Sequence, residues 1–306
     1  MTISVPGLGR LSNRIASPNS QNTSFSRYQK LNHAPSPSAN KHGVELVGEK
    51  PLQVKRLGVK NGPPAVFVHG LGGSTEYWRP LIELTGLKSY DCVLFDLEGH
   101  GLSPTTPTSQ LSISSFAADL QALCLQNGIT SGLTLVTHSI GCLVALKCAQ
   151  DNPSLVSKLV LLGPPPSPVP RTGAEELYAR ADLVRSEGMG AAVDAVVSEE
   201  TSQAIQTSNF LALSAVRLSL LAHPAEGYAK ACTALADASV GLEIGQVKAK
   251  TLIITGSQDI VSSAQLCDDY KQRLPNADTV EVLQDVGHWH VFEDPVGVSK
   301  ALDAFL

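Results

Sequence analysis

Short, almost entirely apolar runs recur along the chain and predict buried strands. Each run is three or four residues long and is bounded by polar residues, glycine or proline. Runs of this kind are typical of strands covered on both faces, as in a parallel sheet. They occupy residues 65–68, 92–95, 133–136, 159–162 and 252–254.

Two segments before these runs have a different period. Residues 44–47 and 52–56 alternate between apolar and polar side chains on either side of Gly48-Glu49-Lys50-Pro51. A period of two residues around a turn predicts an antiparallel hairpin at one edge of the sheet. A further strand is expected at residues 280–283.

Apolar side chains at helical spacing separate the predicted strands. In the clearest case, Ile113, Phe116, Leu120 and Cys124 recur every three or four residues, and Gly128 follows as a stop signal. Strands that alternate with helices predict an α/β fold, with a mostly parallel sheet, helices on both faces and right-handed crossovers.

The alternation is interrupted once, after the run that ends at Leu162. Gly163-Pro164-Pro165-Pro166 follows, and then about 80 residues of Ala-rich helical sequence before the next strand, which is too long for one crossover. We therefore predict an inserted helical cap at residues 164–249, within a core formed by residues 44–163 and 250–306. Most aromatic and leucine side chains of the cap are expected to be packing residues.

The charge distribution divides the chain in two. Residues 1–44 contain five basic residues and no acidic residue, whereas the rest of the chain carries a net charge of −10. Because residues 1–43 are also rich in Ser, Asn and Pro, they are predicted to be a disordered leader. A cytoplasmic location is expected. The alternative is a mitochondrial address through this basic leader, although Pro6 and Gly7 interrupt any amphipathic helix there.

Composition also limits the partners of the chain. The acidic body offers no positive field to a nucleic acid, and no segment approaches the ~20 continuous apolar residues of a membrane span, so neither partner is expected. The six cysteines show neither metal-ligand spacing nor a disulfide framework, so they are predicted to be reduced core residues, with no metal bound. The sequence does not indicate an oligomeric state.

Chemically reactive residues follow several predicted strands, where ligands bind in parallel sheets. The first group is His69-Gly70-Leu71-Gly72-Gly73-Ser74. Its glycines allow exposed backbone N–H groups, which suit a phosphate or an oxyanion. The Gly-Lys-Ser/Thr ending of a phosphate loop and the pattern of a dinucleotide site are both missing, so an oxyanion loop is the better interpretation.

The second group is Thr137-His138-Ser139-Ile140-Gly141, between a strand and a helix. A sharp strand-to-helix turn exposes its central serine at the helix N-terminus, where free N–H groups favour a developing anion. We predict Ser139 as the nucleophile, with Thr137 in place of the usual first glycine. A serine that only caps the helix is the alternative if the motif stands alone.

Two later groups supply the partners that a serine nucleophile needs. Asp259 follows the strand after the cap, and His288 follows the last predicted strand. His290 is a second candidate base, but Gly287 favours an exposed loop position for His288. Ser, Asp and His in this chain order are the acyl-transfer constellation of one fold.

Together these motifs resemble those of the α/β-hydrolase superfamily over about residues 50–306. The features include His69-Gly70, residues 96–103, the turn at Ser139, Asp259 and Gly287-His288 with Glu293-Asp294-Pro295 behind it. The cap resembles that of 3-oxoadipate enol-lactonases and similar small carboxylic-ester hydrolases, through residues 188–195 and 224–235.

The resemblance implies a mechanism without a cofactor or metal. Ser139 would attack an ester or lactone carbonyl, with His288 as base and Asp259 orienting the imidazole. The backbone N–H groups of Leu71 and Ile140 would stabilise the oxyanion. Three more residues, His69, Gly70 and His138, flank the predicted site and are candidate substrate-binding residues, although the two histidines are expected to shape the loops and not to act as bases.

Other functions share this set of motifs. An acyltransferase, perhydrolase or C–C hydrolase uses the same triad, and a non-catalytic ligand receptor on a hydrolase scaffold is the alternative from another class. Ser139 argues against the dehalogenases and epoxide hydrolases that use an Asp nucleophile. The cap has ten acidic and six basic residues and therefore no evident carboxylate clamp. We expect a neutral or weakly polar ester or lactone as the small-molecule substrate.

Overall fold

The computed structural model describes residues 42–306. The predicted disordered leader lies outside this range except for its last two residues. His42 and Gly43 belong to the first strand, where they pair with Lys55 and Val54. The predicted leader boundary at residue 43 is therefore too late, because these two residues extend the hairpin ladder.

Within the described residues, eight strands, numbered in chain order with the bounds given at the end of this paragraph, form one sheet in the order β1-β2-β4-β3-β5-β6-β7-β8. Strands β1 and β2 form an antiparallel hairpin at one edge, and β2 also pairs antiparallel with β4. The other neighbours in this order, from β4 through to β8, pair in parallel. Every predicted strand is present, and the α/β-hydrolase fold class is confirmed. The strands are β1 (His42–Val47), β2 (Lys50–Gly58), β3 (Pro64–Val68), β4 (Asp91–Phe95), β5 (Leu133–His138), β6 (Val156–Leu162), β7 (Lys250–Gly256) and β8 (Ala277–Leu283).

Helices cover both faces of the sheet. Alternate residues of β3 show this arrangement: Val66 and Val68 belong to one hydrophobic layer with Phe116, whereas Phe67 belongs to the other with Leu81. The core therefore consists of two layers separated by the sheet. The helices that pack on the sheet or follow it are α1 (Arg79–Leu84), α2 (Ile113–Gln126), α3 (Ile140–Asp151), and, after the inserted segment, α9 (Ala264–Arg273), α10 (His290–Glu293) and α11 (Pro295–Phe305).

Five helices lie between β6 and β7, in the segment for which the sequence predicts a cap. They are α4 (Arg171–Glu187), α5 (Met189–Glu200), α6 (Gln203–Thr207), α7 (Phe210–Leu221) and α8 (Ala225–Ala236), and we call them the cap helices. Single-turn 3₁₀ helices span Thr75–Trp78, Gly86–Ser89 and Ile244–Gln246. Tyr228 of α8 is fully buried, as expected for a packing aromatic, whereas Phe210 at the start of α7 is 63% exposed.

The topology places the candidate residues at the carboxyl ends of the parallel strands. Because β3, β5, β7 and β8 run in the same direction, the loops after them leave from the same edge. The six cysteines are buried and unpaired, as the sequence predicts. Within residues 42–306, no helix is long and apolar enough to cross a membrane.

Candidate active site

Ser139 occupies a strained turn between β5 and α3. Its backbone has φ 52° and ψ −124°, a region that residues other than glycine rarely adopt. Gly141 is required in the next turn, because a β-carbon there would collide with the carbonyl oxygens of Val68 and His69. The turn directs the Ser139 side chain toward the loop after β8.

Thr137 replaces the glycine that usually opens this turn, and the structure shows why it fits. Its side chain is fully buried, so an unpaired hydroxyl there would be costly. The hydroxyl donates a hydrogen bond of 2.8 Å to the carbonyl oxygen of Val160 on the neighbouring strand. The bond satisfies the hydroxyl and joins the start of the turn to the sheet.

His288 connects Ser139 to Asp259. Its Nε2 lies 2.9 Å from the hydroxyl oxygen of Ser139, and its Nδ1 lies 2.9 Å from Oδ2 of Asp259. The other oxygen of Asp259 accepts the N–H groups of Val261 and Ser262, at 2.9 and 2.8 Å. The three predicted residues are therefore joined by hydrogen bonds in the order that acyl transfer requires.

Asp259 and His288 shift each other's pKa within the hydrogen-bonded relay formed by Ser139, His288 and Asp259. Burial by itself raises the pKa of Asp259, but the charge and hydrogen bond of His288, together with a smaller contribution from His290, outweigh it and hold that pKa well below its usual range. Burial by itself lowers the pKa of His288, but Asp259 outweighs it, with smaller contributions from Glu200 and Glu293, and raises the pKa above 6.5. The buried carboxylate therefore stays ionised and favours a protonated imidazole.

His290, the alternative base, lies near the same oxygen of Asp259 as His288 does. Its Nε2 is 3.2 Å from Oδ2 of Asp259, at ion-pair distance but without hydrogen-bond geometry. His288, and not His290, contacts the hydroxyl of Ser139. The preference for His288 as the partner of Ser139 thus agrees with the geometry, while His290 flanks the carboxylate.

The loop that carries His288 is attached to the cap helices. The N–H of His288 donates to the carbonyl oxygen of Glu200 at 2.8 Å. A β-carbon at Gly287 would lie 2.7 Å from the backbone nitrogen of Ser202. Gly287 is therefore needed for a close approach to the turn between α5 and α6, and not only to expose the loop.

The carboxylate of Glu293 stabilises the same loop. Its carboxylate accepts the N–H groups of Gly287 at 2.8 Å, Trp289 at 3.0 Å and Ser202 at 3.0 Å. Sequence reasoning identified Glu293 only as part of a family motif. The structure adds its role as the acceptor that joins the loop to the cap segment.

Replacing Glu293 with alanine is expected to lower the free energy of unfolding by about 3 kcal/mol, because three backbone donors lose a charged acceptor. Urea denaturation measures the change. Glu293→Gln is the matched control, since its amide oxygen still accepts one or two of these bonds, and it is expected to lose less than half as much. Equal losses in the two variants would contradict the proposed contribution of the three bonds.

The predicted oxyanion donors lie beside Ser139. Ile140 is the first residue of α3, and Leu71 lies in the glycine loop and lines the cavity next to Ser139. Neither backbone N–H has a hydrogen-bond partner among residues 42–306. Both groups remain available for an anionic oxygen, and the oxyanion assignment stays a prediction.

The three candidate substrate-binding residues, His69, Gly70 and His138, are not among the residues that line the cavity over Ser139. His69 donates from Nδ1 to the carbonyl of Gly70 and accepts the N–H of Leu97 at Nε2, at 2.8 and 2.9 Å. His138 donates from Nε2 to the carbonyl oxygen of His288 at 2.8 Å. The expected substrate contact stays a prediction, and these hydrogen bonds show that the two histidines support the two loops.

Their electrostatics and packing agree with that role. Burial lowers the pKa of His69 to about 4 and that of His138 well below its usual range, so both rings are neutral at neutral pH. Gly70 allows the loop to approach the site, because a β-carbon there would collide with the ring of His138 and lie 2.9 Å from the β-carbon of Ser139.

A cavity of about 300 Å³ opens over Ser139 and His288. This volume suits a small ligand. Much of the lining is apolar and comes from both the core and the cap helices, including Leu71, Pro165, Val169, Leu177, Leu235 and Ile260. The arrangement can therefore hold an apolar group next to a serine that is hydrogen-bonded to a base.

The charged part of the lining comes from the cap helices. It contains Glu176, Glu199, Glu200 and a single base, Arg180. Arg180 and Glu200 form an ion pair at 2.8 Å between α4 and α5. Sequence reasoning counted these charges but missed the pair, because its members are 20 residues apart and no local period relates them. Within residues 42–306, no cluster of three or more ligating side chains is arranged to hold a metal ion.

The sequence matches a known family over most of the described range. Residues 63–295 match the family described as alpha/beta hydrolase fold. A putative carbamate hydrolase, RutD, of Pseudomonas syringae pv. syringae is 29% identical over 253 residues, which cover 80% of this chain and 94% of that protein. The 3-oxoadipate enol-lactonase 1 of Acinetobacter baylyi is 29% identical over 262 residues, which cover 84% and 93%.

Solved structures show the same fold. A thermophilic esterase from Thermogutta terrifontis, with malate bound, has a TM-score of 0.78 and 22% identity, and the match covers 87% of this chain and 97% of that one. The enol-lactonase from Burkholderia xenovorans LB400 has a TM-score of 0.75 and 22% identity, with coverage of 86% and 98%. The resemblance to enol-lactonases and small esterases indicated by the sequence motifs is confirmed.

Proposed function

Because the chain belongs to the alpha/beta hydrolase fold family, we propose that it is a serine hydrolase that cleaves a small carboxylic ester or lactone through an acyl-enzyme. The observation that carries the proposal is the relay in which His288 lies 2.9 Å from both the Ser139 hydroxyl and the Asp259 carboxylate. The similarity to an enol-lactonase supports the ester or lactone class.

The first half of the proposed reaction acylates the enzyme. The Ser139 oxygen attacks the carbonyl carbon of the substrate, and its proton moves to Nε2 of His288. Asp259 stabilises the imidazolium and holds Nδ1–H toward itself. The carbonyl oxygen becomes an oxyanion that accepts the N–H groups of Leu71 and Ile140, each worth about 3–4 kcal/mol in comparable enzymes.

The remaining steps complete the acylation and then return the enzyme to its starting state. The tetrahedral intermediate collapses, the bond to the alcohol oxygen breaks, and His288 gives its proton to that oxygen. A water molecule then loses a proton to His288 and attacks the acyl-Ser139 carbonyl, and the acid leaves as Ser139 recovers its proton. In a lactone the acid and alcohol remain in one molecule. All proton transfers use groups of this chain and water.

A fluorophosphonate probe tests the proposed nucleophile directly. Ser139 is expected to become phosphonylated, because only a serine activated by a base reacts readily with this class of probe. Mass spectrometry of the digested protein locates the adduct. Ser139→Ala and heat-denatured protein are the controls, and both should remain unlabelled. Native protein that takes up no probe at Ser139 would favour the ligand-receptor alternative.

A further inference from the structure

The ion pair between Arg180 and Glu200 lies in the wall of the cavity over Ser139. Nη1 of Arg180 is 2.8 Å from Oε1 of Glu200, and the two side chains are 22% and 13% exposed. Both residues line the cavity together with Ser139 and His288. Among residues 42–306, Arg180 is the only arginine or lysine in the lining, and it is paired with a carboxylate of the protein.

This ion pair determines how favourably the cavity binds a negatively charged ligand. A substrate carboxylate that approaches Arg180 must displace Glu200 or accept its repulsion at close range, in a partly buried site where charges are weakly screened. Glu176 and Glu199 add further negative charge to the same lining. An uncharged ester meets neither cost.

We propose that the Arg180–Glu200 ion pair makes this site selective for esters that carry no negative charge on either side of the ester bond. Once the charge of Glu200 is removed, Arg180 becomes a binding residue for a substrate carboxylate. The inference rests on the proposed esterase or lactonase function and specifies its substrate class.

The side chain of Glu200 can be changed without removing its backbone contact, because the two contacts use different atoms. Its backbone carbonyl oxygen accepts the N–H of His288 at 2.8 Å, whereas its side chain pairs with Arg180. Glu200→Gln removes the charge while keeping the backbone contact and the size of the side chain. Arg180 then faces a cavity that water enters, so its charge is not left in a dry core.

The experiment measures selectivity with two matched pairs of esters. The first pair is the p-nitrophenyl monoester of glutaric acid and p-nitrophenyl 5-methylhexanoate, which place a charged or a neutral end on the acyl side. The second is 4-acetoxybenzoate and p-tolyl acetate, which do so on the leaving-group side. For each pair, kcat/KM of the anionic ester is divided by that of the neutral ester, after subtraction of the rate with Ser139→Ala.

In Glu200→Gln, at least one of these two ratios is expected to rise about tenfold or more, because a charge-assisted hydrogen bond between Arg180 and the substrate replaces repulsion. Glu200→Ser, which leaves room for water beside Arg180, is a second variant with the same expectation if the first folds poorly. The double variant Arg180→Gln, Glu200→Gln is expected to lose the gain, since the cation is then absent.

Glu199→Gln is the matched control. Glu199 is the neighbouring residue and also lines the cavity, but it has no ion-pair partner within residues 42–306. Its ratios are expected to change by less than about threefold, as for a screened charge. A rise in Glu199→Gln equal to that in Glu200→Gln, or no rise in Glu200→Gln for either pair, would overturn the inference. Wild-type protein that cleaves none of the four esters would instead count against the proposed function.

Discussion

Replacing Ser139 with alanine is expected to lower kcat for a neutral p-nitrophenyl ester by a factor on the order of 10⁶, because the atom that forms the acyl-enzyme is lost. Only binding and the oxyanion donors would remain, and these do not provide a nucleophile. Initial rates with purified protein, corrected for spontaneous hydrolysis, measure the loss.

The fold should survive this substitution. Alanine has to adopt the same positive φ as Ser139, so the strain at the turn is kept, and the Ser139 side chain caps no backbone group of α3. We expect the thermal midpoint to stay within a few degrees of that of the wild type. A variant that folds normally and retains more than 1% of the rate would remove Ser139 from the proposed mechanism.

Asp259→Asn is expected to lower kcat about 10⁴-fold, because an amide no longer holds the imidazole in the required tautomer or stabilises its charge. It should also change the pH profile. Acylation needs neutral His288, whose pKa Asp259 raises above 6.5, so wild-type activity falls as the pH drops through that raised value. Without the Asp259 charge the pKa of His288 falls, and the acidic limb of kcat/KM moves to lower pH.

Asp285→Asn provides the control for the loss of one charge in this region. Asp285 is an exposed acid near the start of the loop that carries His288, and it makes no contact with the imidazole. Its acidic limb should coincide with that of the wild type. Glu200, Glu293 and His290 remain near the relay in both variants, so a limb that stays in place in Asp259→Asn would show that these groups, and not Asp259, control the pKa of His288.

Features that depend on neighbouring residues were predictable from the sequence. The strands are short apolar runs with local boundaries, and the turn at Ser139 is a local motif between a strand and a helix. Ser139, Asp259 and His288 each follow a predicted strand. If these strands are parallel, their carboxyl ends lie on the same side of the sheet, and the three residues are expected to lie close together. The fold and the hydrogen-bonded relay follow from these steps.

Features that join distant segments were not predictable in this way. The ion pair of Arg180 with Glu200 depends on how α4 packs against α5, and nothing in the spacing specifies that contact. The bond that the N–H of Ser202 donates to Glu293 joins the cap segment to α10, far apart in the chain. The position of the His138 ring also depends on where the His288 loop folds, since the ring donates a hydrogen bond to the backbone of that loop.

The position of the cap helices also has a consequence for chain entropy. Strands β6 and β7 are paired neighbours, with Leu162 opposite Ile254, although the cap helices separate them in the chain. The entropy cost of closing a loop rises only with the logarithm of its length, and each doubling adds about 0.6 kcal/mol. The chain entropy lost when these two strands pair is therefore nearly insensitive to the length of the insert. A change in the cap helices acts on the site through their contacts with it, such as the bond from the N–H of His288 to Glu200, and not through loop closure.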